Sequence, residues 1–196
     1  MFQVRIHGRG GQGVVTAAEM LSVAAFLEGH HAQAFPTFGS ERTGAPVVAF
    51  CRINDRPIRV REPITEPDAL IVQDATLLHQ VAVFSGLRPN GYVLINSTRD
   101  ADRLGLAEFA AELGHARLVT VPATELALRH LGRPVPNAAL LGGFCALTGK
   151  VSLESVQAAI RQKFSSAIAA GNIAAATRVF DEVRLTMREM ADAQAD

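Results

Sequence analysis

The sequence is poor in the residue types that carry self-contained redox or hydrolytic chemistry. Its only two cysteines, Cys51 and Cys145, form no CxxC pair. The chain alone therefore supplies neither a zinc site nor an iron–sulfur cluster, and both thiols read as small buried hydrophobes. GxSxG and HExxH are missing, which leaves the familiar serine-hydrolase and zinc-protease arrangements without a nucleophile or ligand set. Charge of one sign is missing too: 19 Lys and Arg face 19 Asp and Glu. That balance excludes a nucleic-acid coat and a charged disordered tail. No apolar run approaches the roughly 20 residues that cross a bilayer, so no membrane association is expected. A strand-like FQVRIH starts at residue 2, so the expectation is a soluble, cytoplasmic protein without a signal peptide.

What the sequence does have is hydrophobic content, 48% over 196 residues, enough for one domain with a sizeable core. Residues 2–7 alternate as a strand. Residues 14–28 are apolar at helical spacing, and Gly29 follows as a terminator. A short strand is expected over 31–35. VVAFCRI and PIRVRE flank Asn54-Asp55-Arg56 and read as a β-hairpin. ALIVQ (69–73) is a buried strand ended by Asp74, and 77–84 reads as a helix. Strands over 92–96 and 117–121 alternate with helices over 106–113 and 123–131. Beyond residue 133 the pattern is all helical, with helices expected over 152–169 and 172–191. The fold class is α/β: three layers, α/β/α, with a mixed, mostly parallel sheet and a C-terminal helical segment. A single domain spans 1–196, with 1–133 as the sheet core and 134–196 as a helical extension packing on it.

IHGRGGQG, residues 6–13, is the densest glycine cluster in the chain. Gly8, Gly10 and Gly13 satisfy GxGxxG between a strand and a helix, where backbone amides at a helix N-terminus attract phosphate. Arg9 adds a cation and Gln12 an amide. A nucleoside-triphosphatase loop is excluded, because Val14 and Val15 stand where lysine and a hydroxyl are needed. A dinucleotide site needs a carboxylate at the end of the second strand, and residues 34–35 are Ala and Phe. Three readings stay open: NAD, a pyrophosphate or phosphate on another ligand, and a tight turn without ligand.

FGSERTGAP, residues 38–46, places Ser40, Glu41, Arg42 and Thr43 on a second loop, expected at the same sheet edge as the first. His7, at the end of the first strand, reads either as a neighbour of the loop or as a structural histidine. His30 and His31 are adjacent and point apart on a regular element, so no metal site is expected. Asn137 follows Pro136 at the start of a helix, as a cap or as a residue facing a cofactor or partner. Gly142-Gly143 lie inside that helix. Glycine there is unfavourable by about 1 kcal/mol relative to alanine, so close approach of another backbone is expected, a subunit interface being one source.

HGRGGQGVVTAAE, AFPTFGSERTGAPVVAF and PNAALLGGF together resemble the gamma subunit of the 2-oxoacid:acceptor oxidoreductases, the pyruvate- and 2-oxoisovalerate-type ferredoxin oxidoreductases. The resemblance covers nearly the whole chain, and the paired loops are far more specific than a lone GxGxxG. It implies a hetero-oligomeric enzyme that oxidatively decarboxylates a 2-oxoacid to an acyl-coenzyme A and passes electrons to ferredoxin or another acceptor. Thiamine diphosphate, Mg and the iron–sulfur clusters are then expected on partners: thiamine-binding alpha- and beta-type subunits and a ferredoxin-like iron–sulfur subunit. The lack of a GDG motif and of cluster cysteines here agrees with that division. The implied role of this chain is to help form a shared coenzyme A site, with no cofactor bound alone and no catalytic residue of its own. Gly8, Arg9, Gly10, Gly11, Gln12 and Gly13 are the expected phosphate contacts, and Ser40, Glu41, Arg42 and Asn137 the expected ligand or interface contacts. The rivals are an independent NAD- or flavin-binding oxidoreductase and a purely structural scaffold subunit.

Overall fold

Apolar strands with no polar alternation are buried on both faces, which is the signature of a parallel sheet covered by helices. The computed structural model, which describes residues 1–37 and 43–193, follows that rule at its centre. All four residues of β4 (Ala69–Val72) and the middle three of β5 (Tyr92–Asn96) are buried. The six strands run in the order β2 (His31–Pro36), β3 (Pro46–Asn54), β1 (Phe2–Arg9), β4, β5, β6 (Leu118–Val121). The β1–β4, β4–β5 and β5–β6 pairs are parallel, whereas β3 runs antiparallel to both β1 and β2. The mixed, mostly parallel α/β sheet expected from the sequence is the one found.

One face carries α1 (Val14–Leu27), α3 (Ala123–Leu131), α4 (Asn137–Thr148), α5 (Leu153–Lys163) and α6 (Ser166–Asp192) over the large core cluster. Helix α4 is buried almost throughout, from Asn137 to Cys145. The Cβ that Gly142 lacks would strike the Ala176 carbonyl of α6, and that of Gly143 would lie 2.9 Å from Val179 Cγ1 and 3.0 Å from Leu94 Cδ2. The backbone that approaches the glycine pair thus belongs to this chain's own α6.

The other face is covered more thinly. A smaller cluster beneath α2 (Ala107–Leu113) holds Leu70, Val72, Val93, Ile95 and Leu118. Over β1 and β3 the cover is polar. Buried Arg5 donates to the carbonyls of Ile64 (3.4 Å), Val83 (2.9 Å) and Ser85 (2.6 Å). Buried Arg52 donates to the carbonyls of Val60 and Glu62 and to Gln3 Oε1. Two loops are therefore fastened to the sheet by guanidinium groups, alongside the buried side chains of Ile64 and Val83.

Three expectations are corrected. PIRVRE forms no strand: β3 already pairs on both sides, and prolines at 57 and 63 lack the amides a ladder needs. Residues 77–84 are not a continuous helix. A short 3-10 helix spans Ala75–His79, after which the Val83 and Ser85 carbonyls turn to Arg5. The break between the last two helices falls earlier than expected, where Phe164 (φ −120°, ψ 154°) and Ser165 (φ −60°, ψ 156°) are extended. Gly171 lies inside α6 because the end of α3 presses against it, His130 O being 2.9 Å from the missing Cβ.

Candidate functional site

The chain leaves β1 toward β3 and β2 on one side, then returns to add β4, β5 and β6 on the other. The carboxyl ends of β1 and β4 therefore open at the topological switch point, the place where open α/β sheets bind ligands. Both loops that begin there are polar: Gly10 to Gly13 after β1, and Gln73-Asp74 after β4.

The glycine loop is built so that side chains cannot fill it. A Cβ on Gly8 would meet Val14 Cγ2 at 2.6 Å, Gln12 Oε1 at 3.1 Å and Gln73 Cβ at 3.2 Å. Gly13 is the N-cap of α1 in the left-handed conformation (φ 71°), and its absent Cβ would collide with the Asn137 amide. No side chain caps α1, and its first turn holds no acidic residue. Among the described residues the amides of Gly11, Gly13, Val14, Val15 and Thr16 have no hydrogen-bond partner. An uncapped helix N-terminus of this kind presents partial positive charge to an anion.

Arg9 and Gln12 brace the loop from within. The Arg9 guanidinium donates to Asp74 Oδ2 (3.0 Å), Gly44 O (3.0 Å), Thr76 Oγ1 (2.6 Å) and Gln80 Oε1 (2.9 Å). Four of its five N–H groups are thus engaged by protein. Gln12 accepts from the Arg9 amide (2.8 Å) and donates to Asp74 Oδ2 (3.0 Å). Asp74 also accepts from the Thr76 amide (3.0 Å) and hydroxyl (2.6 Å). Burial by itself raises the Asp74 carboxyl, but the hydrogen bonds from Thr76 and Gln12, with Arg9 alongside, outweigh it and hold the group below its usual range. Asp74 therefore stays ionised and ties the two loops together.

The second loop meets the first, as expected. The Gly10 amide donates to Ala45 O (2.9 Å), and the Gly44 amide to Gly10 O (3.0 Å). Ser40, Glu41 and Arg42 lie outside the described residues. Asn137 is the first residue of α4, with Pro136 in the cap position, and is only 4% exposed. Its Oδ1 accepts from the Ala138 amide (2.8 Å), and its Nδ2 donates to Gly13 O (3.3 Å). It thus serves the start of α4 and at the same time clamps that start to the start of α1.

His7 points to the opposite face of the sheet. Its Nε2 accepts from Arg5 Nε (3.0 Å), and burial, reinforced by the Arg5 charge, lowers its pKa to about 4. It is a neutral structural histidine and does not touch the loop ligand side. The described residues bring together no group of three metal-ligating side chains, and none of their helices is long and apolar enough to cross a membrane. A dinucleotide site is also disfavoured: the strand beside β1, where a ribose-binding carboxylate would be sought, is the antiparallel β3.

Sequence reading missed two residues here. One is Asp74 as a brace for Arg9 and Gln12, where the sequence marks it only as the end of a strand. The other is Gln73, only 1% exposed, whose side-chain Oε1 and Nε2 both lack a partner. A buried unpaired polar group costs about 1–3 kcal/mol. The signal available was a polar Gln-Asp pair directly after an apolar strand.

The glycine and second-loop segments both lie within residues 3–182, which match the model of the family described as pyruvate ferredoxin/flavodoxin oxidoreductase. The chain is 53% identical to pyruvate synthase subunit PorC of Methanosarcina barkeri over 161 residues, 82% of this chain and 85% of that one. It is 47% identical to the pyruvate/ketoisovalerate oxidoreductases common subunit gamma of Thermococcus kodakarensis over 182 residues, 93% and 97% of the two chains. Among solved structures, the pyruvate oxidoreductase subunit PORC of Thermotoga maritima superposes with a TM-score of 0.75 at 34% identity, covering 92% of this chain and 95% of that one. The chain belongs to the pyruvate ferredoxin/flavodoxin oxidoreductase family, as a gamma-type subunit of these oxidoreductase complexes.

Proposed function

We propose that this subunit supplies the phosphate-binding part of the coenzyme A site in a thiamine diphosphate-dependent 2-oxoacid oxidoreductase. The complex converts a 2-oxoacid, pyruvate in the names of its relatives, to an acyl-coenzyme A. The observation that carries the reading is the uncapped N-terminus of α1, cradled by Gly8 and Gly13 at the switch point. Coenzyme A carries a diphosphate and a 3′-phosphate, the anionic groups such a cradle accepts. The amides of Gly11 and of Gly13 to Thr16 are the direct donors, and Gly8, Gly10 and Gly13 leave room for them to approach the phosphates.

Arg9 holds the loop in shape and offers the phosphates its one remaining Nη1 hydrogen. Gln12 is a gatepost beside it. Ser40, Glu41 and Arg42 contact coenzyme A or brace the thiamine-binding partner, in keeping with the tie between Gly10 and residues 44–45. Thiamine diphosphate, Mg and the iron–sulfur clusters belong to the alpha- and beta-type and ferredoxin-like partners. This chain has neither a GDG motif nor clustered cysteines.

The test is steady-state kinetics of the assembled complex carrying Arg9→Ala. Loss of the brace to Asp74, Thr76 and Gly44 is expected to raise the KM for coenzyme A about tenfold, equivalent to about 1.4 kcal/mol. The KM for the 2-oxoacid should not move. Arg9→Lys should not rescue, because an ammonium cannot reach the forked set of acceptors. A coenzyme A dependence unchanged by Arg9→Ala would remove Arg9 from the site.

A further inference from the structure

We propose that the buried carboxamide of Gln73 is a ligand-recognition group beneath the glycine loop, an inference that rests on the coenzyme A reading above. The Gln73 backbone is fully used: its amide donates to His7 O (2.7 Å) and its carbonyl accepts from Asn96 Nδ2 (2.8 Å). The main chain is thus fixed at the switch point, and the side chain is held there with both polar atoms unpaired. Leu70 and Val72 pack in the cluster on the thinner face, while Ala69 and Ile71 pack in the other. Alternation then sends Gln73 to the helix-layer side, the side of Gly8, whose missing Cβ would lie between Val14, Gln12 and Gln73.

That position lies under the first turn of α1, where Asn137 joins the start of α4 to Gly13. The N-terminus of the 14-residue α1 stands over the unpartnered amide, and the start of the 12-residue α4 is joined to it through Asn137 and Gly13. Both favour an acceptor oxygen, and Nε2 adds a further donor to it. Oε1 then needs a donor from the same ligand. A bare diphosphate satisfies only the first demand. A diphosphate ester whose neighbouring arm bears hydroxyl and amide N–H groups, as coenzyme A does, satisfies both. Gln12, held by Asp74 and by the Arg9 amide, borders the same space at Gly8 as Gln73, and on this proposal the ligand reaches Gln73 by turning the Gln12 side chain aside.

A ligand group kept unpaired in the free protein has a signature opposite to that of a structural group: replacing it with an apolar side chain of similar shape strengthens the fold and weakens binding. The experiment titrates coenzyme A into the assembled complex carrying wild-type chain, Gln73→Met, Gln73→Asn or Gly13→Ala, and melts each full chain by circular dichroism. The expected result is an affinity about tenfold weaker for Gln73→Met, with a melting temperature a few degrees higher. Gln73→Asn, which retracts the amide by one methylene, should weaken binding in the same direction and covers the case in which the methionine variant does not fold. Unchanged affinity in the glutamine variants, with binding still lost in Gly13→Ala, overturns the role of Gln73 and leaves the coenzyme A site standing. Unchanged affinity in Gly13→Ala as well overturns the site itself. A melting temperature lowered in Gln73→Met at unchanged affinity assigns the amide to the fold and overturns the proposal.

Discussion

Gly142→Ala is expected to destabilise the chain by about 3 kcal/mol, a fall in melting temperature of roughly 10 °C. The sign is what makes the prediction informative. Inside a helix, alanine is favoured over glycine by about 1 kcal/mol, so a glycine present without a packing reason would give a stabilised variant. Here the added methyl would run into the Ala176 carbonyl, with the Ala176 Cα only 2.9 Å away. These are backbone atoms of α6, which cannot step aside as a side-chain tip can. Relief requires α4 and α6 to move apart, and that opens the cluster containing Leu141, Phe144, Val179 and Val183. A thermal melt of the full chain checks this. A melting temperature equal to or above that of the wild type would mean that the two helices do not cross this closely.

Gly13→Ala carries the largest expected functional effect. Gly13 sits at φ 71°, and a left-handed alanine costs roughly 1–2 kcal/mol. The new methyl also takes the place of the Asn137 side-chain amide. Asn137 must then give up its hydrogen bond to Gly13 O or its acceptance from Ala138 N, and the starts of α1 and α4 separate. The donor amides of α1 no longer converge, and the affinity of the complex for coenzyme A is expected to fall about a hundredfold. Gly11→Ala is the natural comparison. Its φ of 94° is equally unfavourable, but nothing lies within 4 Å of the added methyl, so it strains the loop without displacing Asn137. A binding loss clearly smaller than that of Gly13→Ala is expected from the same coenzyme A titration. If the chain were only a scaffold, both variants would alter assembly and leave coenzyme A affinity alone.

Much of this arrangement was legible in the sequence, and the limits have physical causes. Local patterns place α3 and β5 to the residue and β4 nearly so, because buried parallel strands and amphipathic helices carry their own periodicity. The two glycine-bearing loops announced themselves, and the tie between Gly10 and residues 44–45 joins them. The misplaced hairpin has a tertiary cause: residues 57–62 alternate like a strand, but β3 has no free edge left to offer. The lost helix over 77–84 has a similar one, since buried Arg5 draws the Val83 and Ser85 carbonyls to itself and the segment after His79 runs in turns. From the sequence alone Arg9 reads as a cation facing phosphate. The structure engages it with Asp74, Thr76, Gln80 and Gly44, partners 35 to 71 residues away that no local pattern connects. Gln73 gave no periodic signal at all, because an unpaired buried amide is visible only once its surroundings are assembled.

The most direct test of the coenzyme A site is hydrogen–deuterium exchange on the assembled complex, with and without saturating coenzyme A, followed through peptides covering residues 8–16. Coenzyme A is expected to slow exchange at the amides of Gly11 and of Gly13 to Thr16, and to leave peptides from the α2 face unchanged. Coenzyme A bound to the complex with no added protection anywhere in residues 8–16 would contradict it.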